Sequence, residues 1–231
     1  PLPVSTIVYA GTGVAVNINF QGTFQSLAAQ CYCTLEYLRI VSAGGTIGID
    51  INEAEYVTLR NVVVHGGLDF SIPQTGFSVA GISLTCTGSI PANNALITVQ
   101  LEGVFVHYVT GYGLYATPCA NLNGGSITNS IFRGNALGGF YADARMTAWH
   151  IAGNVFEGNG GRQFFTRQVE ASSIINNFFE TGPSPLVFMK HCEGCIFNGN
   201  TIRGAGSGIT AIGVTLGFPA EGLYFSGGSL Q

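Results

Sequence analysis

The sequence predicts an all-β fold, a parallel β-helix whose turns are 23–24 residues long. Three observations predict it. One eight-residue phrase is written four times, as Ile127-Thr-Asn-Ser-Ile-Phe-Arg-Gly134, Ile151-Ala-Gly-Asn-Val-Phe-Glu-Gly158, Ile174-Ile-Asn-Asn-Phe-Phe-Glu-Thr181 and Phe197-Asn-Gly-Asn-Thr-Ile-Arg-Gly204, with starts 24, 23 and 23 residues apart. A fixed period of this size marks stacked units that cannot bury their apolar face alone. Before the phrases run short segments in which apolar and other residues alternate, as a half-buried strand requires. The third observation is composition: 34 glycines for corners, many Val, Ile, Phe and Tyr for strands, and only 9% charged residues.

From the N-terminus, nothing resembles a signal peptide: Pro1 to Thr6 has no basic region, and no initiator Met is present, so a piece of a longer chain is expected. Gln25 to Gln30 forms at most one helical turn. Faint copies of the phrase run from Leu35 to Ser42, Leu59 to Gly66 and Leu101 to Tyr108, and a last one from Phe225 to Gln231. The alternating strands are Gly48–Ile51, Gly81–Leu84, Gly113–Ala116, Gly139–Ala142, Gln163–Thr166 and Pro185–Phe188. Within each phrase a central Asn or Gly tolerates the left-handed backbone of a sharp bend, so two short strands meet at a corner. Three strands per turn follow. The continuous repeat argues for one elongated domain over residues 1–231, interrupted by side loops at 68–78 and 87–95 with Phe70 and Phe77 as the aromatic content of the first.

Net charge is −4 and mean hydropathy +0.36, with no basic stripe, which argues against nucleic acid as a partner. No apolar run is long enough to span a bilayer, so membrane insertion is not expected. So apolar a surface should be partly covered, by flanking domains and by an oligomer. The pairs Cys31/Cys33 and Cys192/Cys195 have zinc-like spacing but lie many turns apart, so free, mostly buried thiols are expected, with a bridge between Cys86 and Cys119 left open. No metal and no cofactor are expected.

The repeated Ile-x-Asn-Asn-x-Phe phrase with Gly-bounded strands resembles the right-handed parallel β-helix of the pectin-lyase-like superfamily, and within it most resembles a bacteriophage tailspike, over residues 13–231. The resemblance implies a homotrimer on the virion tail, extracellular at host attachment, that binds host surface polysaccharide (capsule or lipopolysaccharide). It also implies that the protein can depolymerise that glycan as an endoglycosidase or lyase. Asn-Thr-Asp, Asp-Asp, Gly-His-Gly and Arg-Ile-Lys, the polygalacturonase pattern, have no match here. The Arg-x-Pro-x-x-Arg element of calcium-dependent pectate lyases is absent too, so pectin degradation is disfavoured.

Because the repeat is periodic, equivalent positions form ladders. The seventh residue of each phrase gives His65, His107, Arg133, Glu157, Glu180 and Arg203, each after an inward apolar residue and so expected to point outward. Glu157 and Glu180 fall on neighbouring turns, about 5 Å apart. Carboxyls at about 5–5.5 Å suit a retaining glycosidase, one as nucleophile and the other, its proton held by the like charge, as acid. Arg133 and Arg203 bracket the pair and can orient sugar hydroxyls. The competing reading is a solvated ladder of mutually neutralising Arg and Glu.

On the preceding strand, Tyr115, Tyr141 and Phe165 are expected outward, one per turn, with Thr117, Asp143 and Arg167 two positions later. Such a row of aromatic faces beside Asp and Arg suits sugar rings, or the surface of a neighbouring subunit. Asp143 is a further catalytic candidate. His65 and His107 flank the long insertion and can approach one another, the competing reading being a structural histidine, buried or at the surface, and His150 beside Trp149 is expected to be structural. Two other functions stay open: a non-catalytic structural or adhesive β-helix, and a secreted bacterial polysaccharide lyase.

Overall fold

The computed structural model describes residues 5–19, 32–42, 44–52, 54–67, 76–85, 95–116, 121–183, 185–204, 212–214, 224–226 and 229–230. Among the described residues every regular element is a β-strand, and the strands pair in parallel from turn to turn. The parallel β-helix expected from the repeat is the fold that forms.

Each phrase builds a corner. In the copy beginning at Ile151, the strand Gly138–Ala152 ends, Gly153 and Asn154 turn the chain, and Val155–Glu157 begins the next face. The turning residue is left-handed in all four copies: φ is 51° at Asn129, 66° at Gly153, 55° at Asn176 and 64° at Gly199. Asn and Gly reach this region at the least cost, which is why they alternate at this position.

The next residue goes inside. Ser130, Asn154, Asn177 and Asn200 are buried one above another. Asn177 Nδ2 donates to the Ile151 carbonyl at 2.9 Å and to Asn200 Oδ1 at 3.0 Å, while its Oδ1 accepts from Asn154 N at 3.0 Å and Asn154 Nδ2 at 2.9 Å. The ladder satisfies the corner's backbone groups inside the solenoid, where each unpaired one would cost about 1–3 kcal/mol.

One nine-stranded sheet holds a single short strand from each turn, from Ser5–Tyr9 through Val155–Glu157 and Phe178–Glu180 to Ser229–Leu230. Strands of three residues have no stability alone. They are held by a core row of Ile40, Val64, Val106, Phe132, Phe156, Phe179 and Ile202, all at most 2% exposed. Phe132, Phe156 and Phe179 stack at 5.2 Å between successive rings. Each such ring adds about 1.5–3 kcal/mol on burial.

The other two faces share one sheet, because Gly138–Ala152 runs through their corner with an irregularity between Ala142 and Arg145. At the opposite corner the chain passes so close to the next turn that only glycine fits. A Cβ on Gly139 would sit 2.5 Å from the Gln163 carbonyl oxygen and 3.1 Å from the Phe156 ring.

Two expectations are corrected here. Phe77 does not line a side-loop wall; it is fully buried in the core, at φ 58°. The chain returns from the insertion by pairing Gly76 with Val109, which turns the Phe77 ring inward. Residues 68–75, including Phe70, and 87–94 lie outside the described residues, as do Cys31, Cys86, Thr117 and Cys119. Cys192 and Cys195 are buried free thiols as expected, whereas Cys33 is disulfide-bonded.

Candidate functional site: an aromatic face and a charged ladder

The strand registers carry one outward row up the solenoid: Asp50 pairs with Ser83, Ser83 with Tyr115, Tyr115 with Tyr141, Tyr141 with Phe165, and Phe165 with Phe188. Four consecutive aromatic rungs result, one more than expected. Parallel strands fix the rung spacing at about 4.8 Å, near the thickness of stacked rings. Ring centroids are accordingly 5.8 Å apart for Tyr115 and Tyr141, 4.4 Å for Tyr141 and Phe165, and 5.8 Å for Phe165 and Phe188, with interplanar angles of 25°, 13° and 9°. The expectation of open aromatic faces is therefore corrected. The faces lie against each other, leaving Phe165 only 8% exposed and Tyr115, Tyr141 and Phe188 half-buried.

Two further side chains join the row. Tyr112 stacks on Tyr115 at 5.4 Å and leans on Tyr141 at 4.8 Å. It can do so because its partner on the next turn is Gly138, where an added Cβ would come within 3.2 Å of the Tyr112 ring. On the upper rungs the Arg162 guanidinium lies 4.7 Å from the Phe188 ring centre and 5.5 Å from that of Phe165. Such cation–π contacts attract the guanidinium without neutralising its charge. Asp143 and Arg167 follow on the same strands as a loose ion pair at 3.7 Å.

Burial raises the Tyr112 phenol above the ordinary range, reinforced by Tyr141 and Tyr115 and opposed by Arg162. Burial also raises Tyr141, followed by the Asp143 carboxylate and Tyr115, again against Arg162. Both phenols stay protonated at neutral pH and are hydroxyl donors. The same dependence shows that Tyr112, Tyr115, Tyr141, Asp143 and Arg162 sense one another as a single patch.

The charged ladder stands on the nine-stranded sheet. His65 pairs with His107, His107 with Arg133, Arg133 with Glu157, Glu157 with Glu180, and Glu180 with Arg203. The two glutamates are thus on adjacent turns, as the period requires. Each also has its own counter-ion: Arg133 lies 3.7 Å from Glu157, and Arg203 lies 3.6 Å from Glu180. Each carboxylate thus has one guanidinium beside it. This arrangement matches the neutralised surface ladder.

The histidine end departs from the outward expectation, while the two rings do approach one another. His65 and His107 are 0% and 4% exposed, not solvent-facing like the rest of the ladder. They meet edge to face at 4.3 Å, and Phe105 stacks on His107 at 4.1 Å. His65 Nδ1 takes a backbone hydrogen bond from Gly67 at 2.9 Å. Burial first, then the positive neighbours His65, Arg39 and Arg133, push His107 down to about 3, so it is neutral across the physiological range. His150 is exposed, its Nδ1 2.7 Å from Ser173 Oγ. Among the described residues no three His, Cys, Asp or Glu side chains form a metal-binding group.

The sequence reading missed Tyr112, Arg162 and Phe188. Phe188 was legible, since it lies 23 residues, one period, after Phe165. Tyr112, the first residue of the strand Tyr112–Ala116, and Arg162, just before the strand Phe164–Glu170, were not, because they reach the row only by leaning over Gly138 and by lying over the Phe165 and Phe188 rings.

The family described as right handed beta helix region matches residues 80–218, more than half of the chain. The chain belongs to that family. Its β-helix is distantly similar to several solved structures. A surface adhesin of Streptococcus pneumoniae, PfbA, is 12% identical with a TM-score of 0.49, over 97% of this chain and 62% of that one. The A-module of Azotobacter vinelandii mannuronan C-5 epimerase AlgE6 is 11% identical with a TM-score of 0.32, over 99% and 91%. Tailspike protein 3 of bacteriophage CBA120 is 12% identical with a TM-score of 0.34, over 98% and 47%. The β-helix thus spans less than two thirds of the adhesin and under half of the tailspike. No curated protein matches in sequence.

Proposed function

We propose that this β-helix binds surface polysaccharide through its aromatic face, as part of a virion tailspike or tail fibre that engages the host glycan. The observation that carries the reading is the convergence of three phenols (Tyr112, Tyr115 and Tyr141) with Asp143, Arg162 and Arg167 on adjoining turns of one rigid face. Hydroxyl donors, a carboxylate acceptor and guanidinium donors fixed at regular spacing are what a polyhydroxylated chain lying along the solenoid would meet. A preformed face loses little entropy on binding.

Binding without cleavage at Glu157 and Glu180 is the form of this proposal that the ion pairs favour, leaving Asp143 as the carboxylate nearest the glycan. Homotrimeric assembly at the host surface belongs to the same reading. It is supported by a half-buried apolar row on the nine-stranded sheet, Val63, Phe105, Ile131, Val155 and Phe178, one per turn.

The test is titration calorimetry of the protein with capsular and lipopolysaccharide preparations, alongside mass spectrometry for released oligosaccharides and light scattering for subunit number. Binding that is lost in Tyr141→Ala and kept in Glu157→Gln supports the aromatic face. Retained binding in Tyr141→Ala together with Tyr115→Ala sinks it.

A further inference from the structure

The positive charges of this acidic chain are distributed unevenly. All eight Lys and Arg residues are among those described. Arg60, Arg133, Arg145, Arg167 and Arg203 each pair with a carboxylate. Arg39 lies beside the histidines and helps to lower His107. The remaining two, Arg162 and Lys190, have no carboxylate partner among the described residues, and both stand on the aromatic face.

Their placement is regular. Arg162 spans the Phe165 and Phe188 rungs. Lys190 follows Met189, whose partner one turn earlier is Thr166, so Lys190 stands a rung above Arg167. Arg162, Arg167 and Lys190 therefore occupy two consecutive turns, separated by about 4.8 Å along the axis. Among the described residues the carboxylate in the cluster is Asp143, held loosely by Arg167 at 3.7 Å. Against a net charge of −4, this patch carries a local surplus of positive charge.

We infer that the glycan taken by this face is an anionic polysaccharide whose sugar carboxylates are received by Arg162, Arg167 and Lys190. The inference rests on the polysaccharide-binding reading above and adds the ligand's chemical class. A guanidinium is a planar fork that takes a carboxylate by a two-point hydrogen bond, and contact with the Phe165 and Phe188 rings leaves its charge unneutralised. Lys190 supplies a point charge one turn on. The Tyr112, Tyr115 and Tyr141 hydroxyls, below on the same row, take the sugar hydroxyls of the same strand.

The experiment compares three probes on the full chain by titration calorimetry: polygalacturonate, the same polymer fully methyl-esterified, and neutral dextran. The expected result is binding of polygalacturonate alone, weakening as salt rises from 50 to 500 mM, because exposed charges are screened over about 10 Å at 0.1 M salt. Arg162→Gln and Lys190→Gln each lower affinity by about fivefold, the size of one exposed charge pair. Arg60→Gln, on another face and paired with Glu36 and Glu102, leaves it unchanged. Equal, salt-insensitive binding of the acid and its ester overturns the anionic assignment while leaving polysaccharide binding standing. Failure of all three polymers and of whole capsular preparations overturns both. Circular dichroism of each variant separates loss of charge from loss of fold.

Discussion

Glu157 and Glu180 sit side by side on adjacent turns, and each is ion-paired outward, to Arg133 at 3.7 Å and to Arg203 at 3.6 Å. The order Arg, Glu, Glu, Arg makes the ladder electrically closed. An acid–base pair needs two carboxyls that differ in protonation. Here each carboxylate has the same kind of partner, one guanidinium.

Glu157→Gln and Glu180→Gln are therefore expected to leave glycan binding unchanged and to shift stability by less than about 1 kcal/mol, as partly exposed ion pairs do. Arg133→Glu, which places three acids on consecutive turns, should destabilise more than either. Urea unfolding and oligosaccharide mass spectrometry check both statements. Loss of a measured cleavage activity in either Gln variant would return the pair to a catalytic role.

Tyr141 is the centre of the aromatic face, in contact with Tyr112, Tyr115 and Phe165. Tyr141→Phe keeps the stack and removes one hydroxyl, so it should cost about 0.5–1.5 kcal/mol of glycan binding with stability nearly unchanged. Tyr141→Ala should lose both. Calorimetry and thermal melting, run together on the two variants, separate hydroxyl from ring.

Within the core, Asn177 carries the corner ladder through hydrogen bonds to Asn154, Asn200 and the Ile151 carbonyl. Asn177→Ala leaves several buried groups unpaired and should destabilise by about 3 kcal/mol or more. Asn177→Ser should be milder, since Ser130 fills the same rung two turns earlier and still accepts from Val104 N at 3.0 Å. Urea midpoints that rank Ala above Ser would contradict the ladder's role.

His107 makes stability depend on pH. Unfolded, it takes up a proton near the ordinary 6.5, and folded only near 3, chiefly because burial disfavours its charge. The unfolded chain therefore binds more protons between these values, so stability complete above pH 6.5 is lost as pH falls, at up to about 1.4 kcal/mol per pH unit. Urea midpoints measured at pH 7 and pH 4.5 should fall with acid, and His107→Gln should flatten the slope.

Period and residue type made the fold legible. Asn129, Gly153, Asn176 and Gly199 marked the left-handed corner, and Phe132, Phe156 and Phe179 marked the core row. The pairing of Glu157 with Glu180 was legible for the same reason. In a solenoid, residues one period apart are neighbours, so adjacency can be counted along the chain. The role of Ser130, Asn154, Asn177 and Asn200 as a buried ladder was not, because Asn at a bend is equally at home in solvent.

The sequence by itself determined the parallel β-helix and which residues share a rung, since both depend only on spacing and on which side chains tolerate a bend. Only the tertiary structure decided what each rung does. Strand spacing presses Tyr141 and Phe165 face to face, so their facing ring surfaces are covered. Guanidinium reach lets Arg133 and Arg203 neutralise the glutamates. The return of the insertion through Gly76 buries Phe77, and stacking on Phe105 encloses His107. Tyr112 joins the site by leaning over Gly138 against Tyr141, and Arg162 by reaching over the Phe188 ring, contacts that no count of residues along the chain contains.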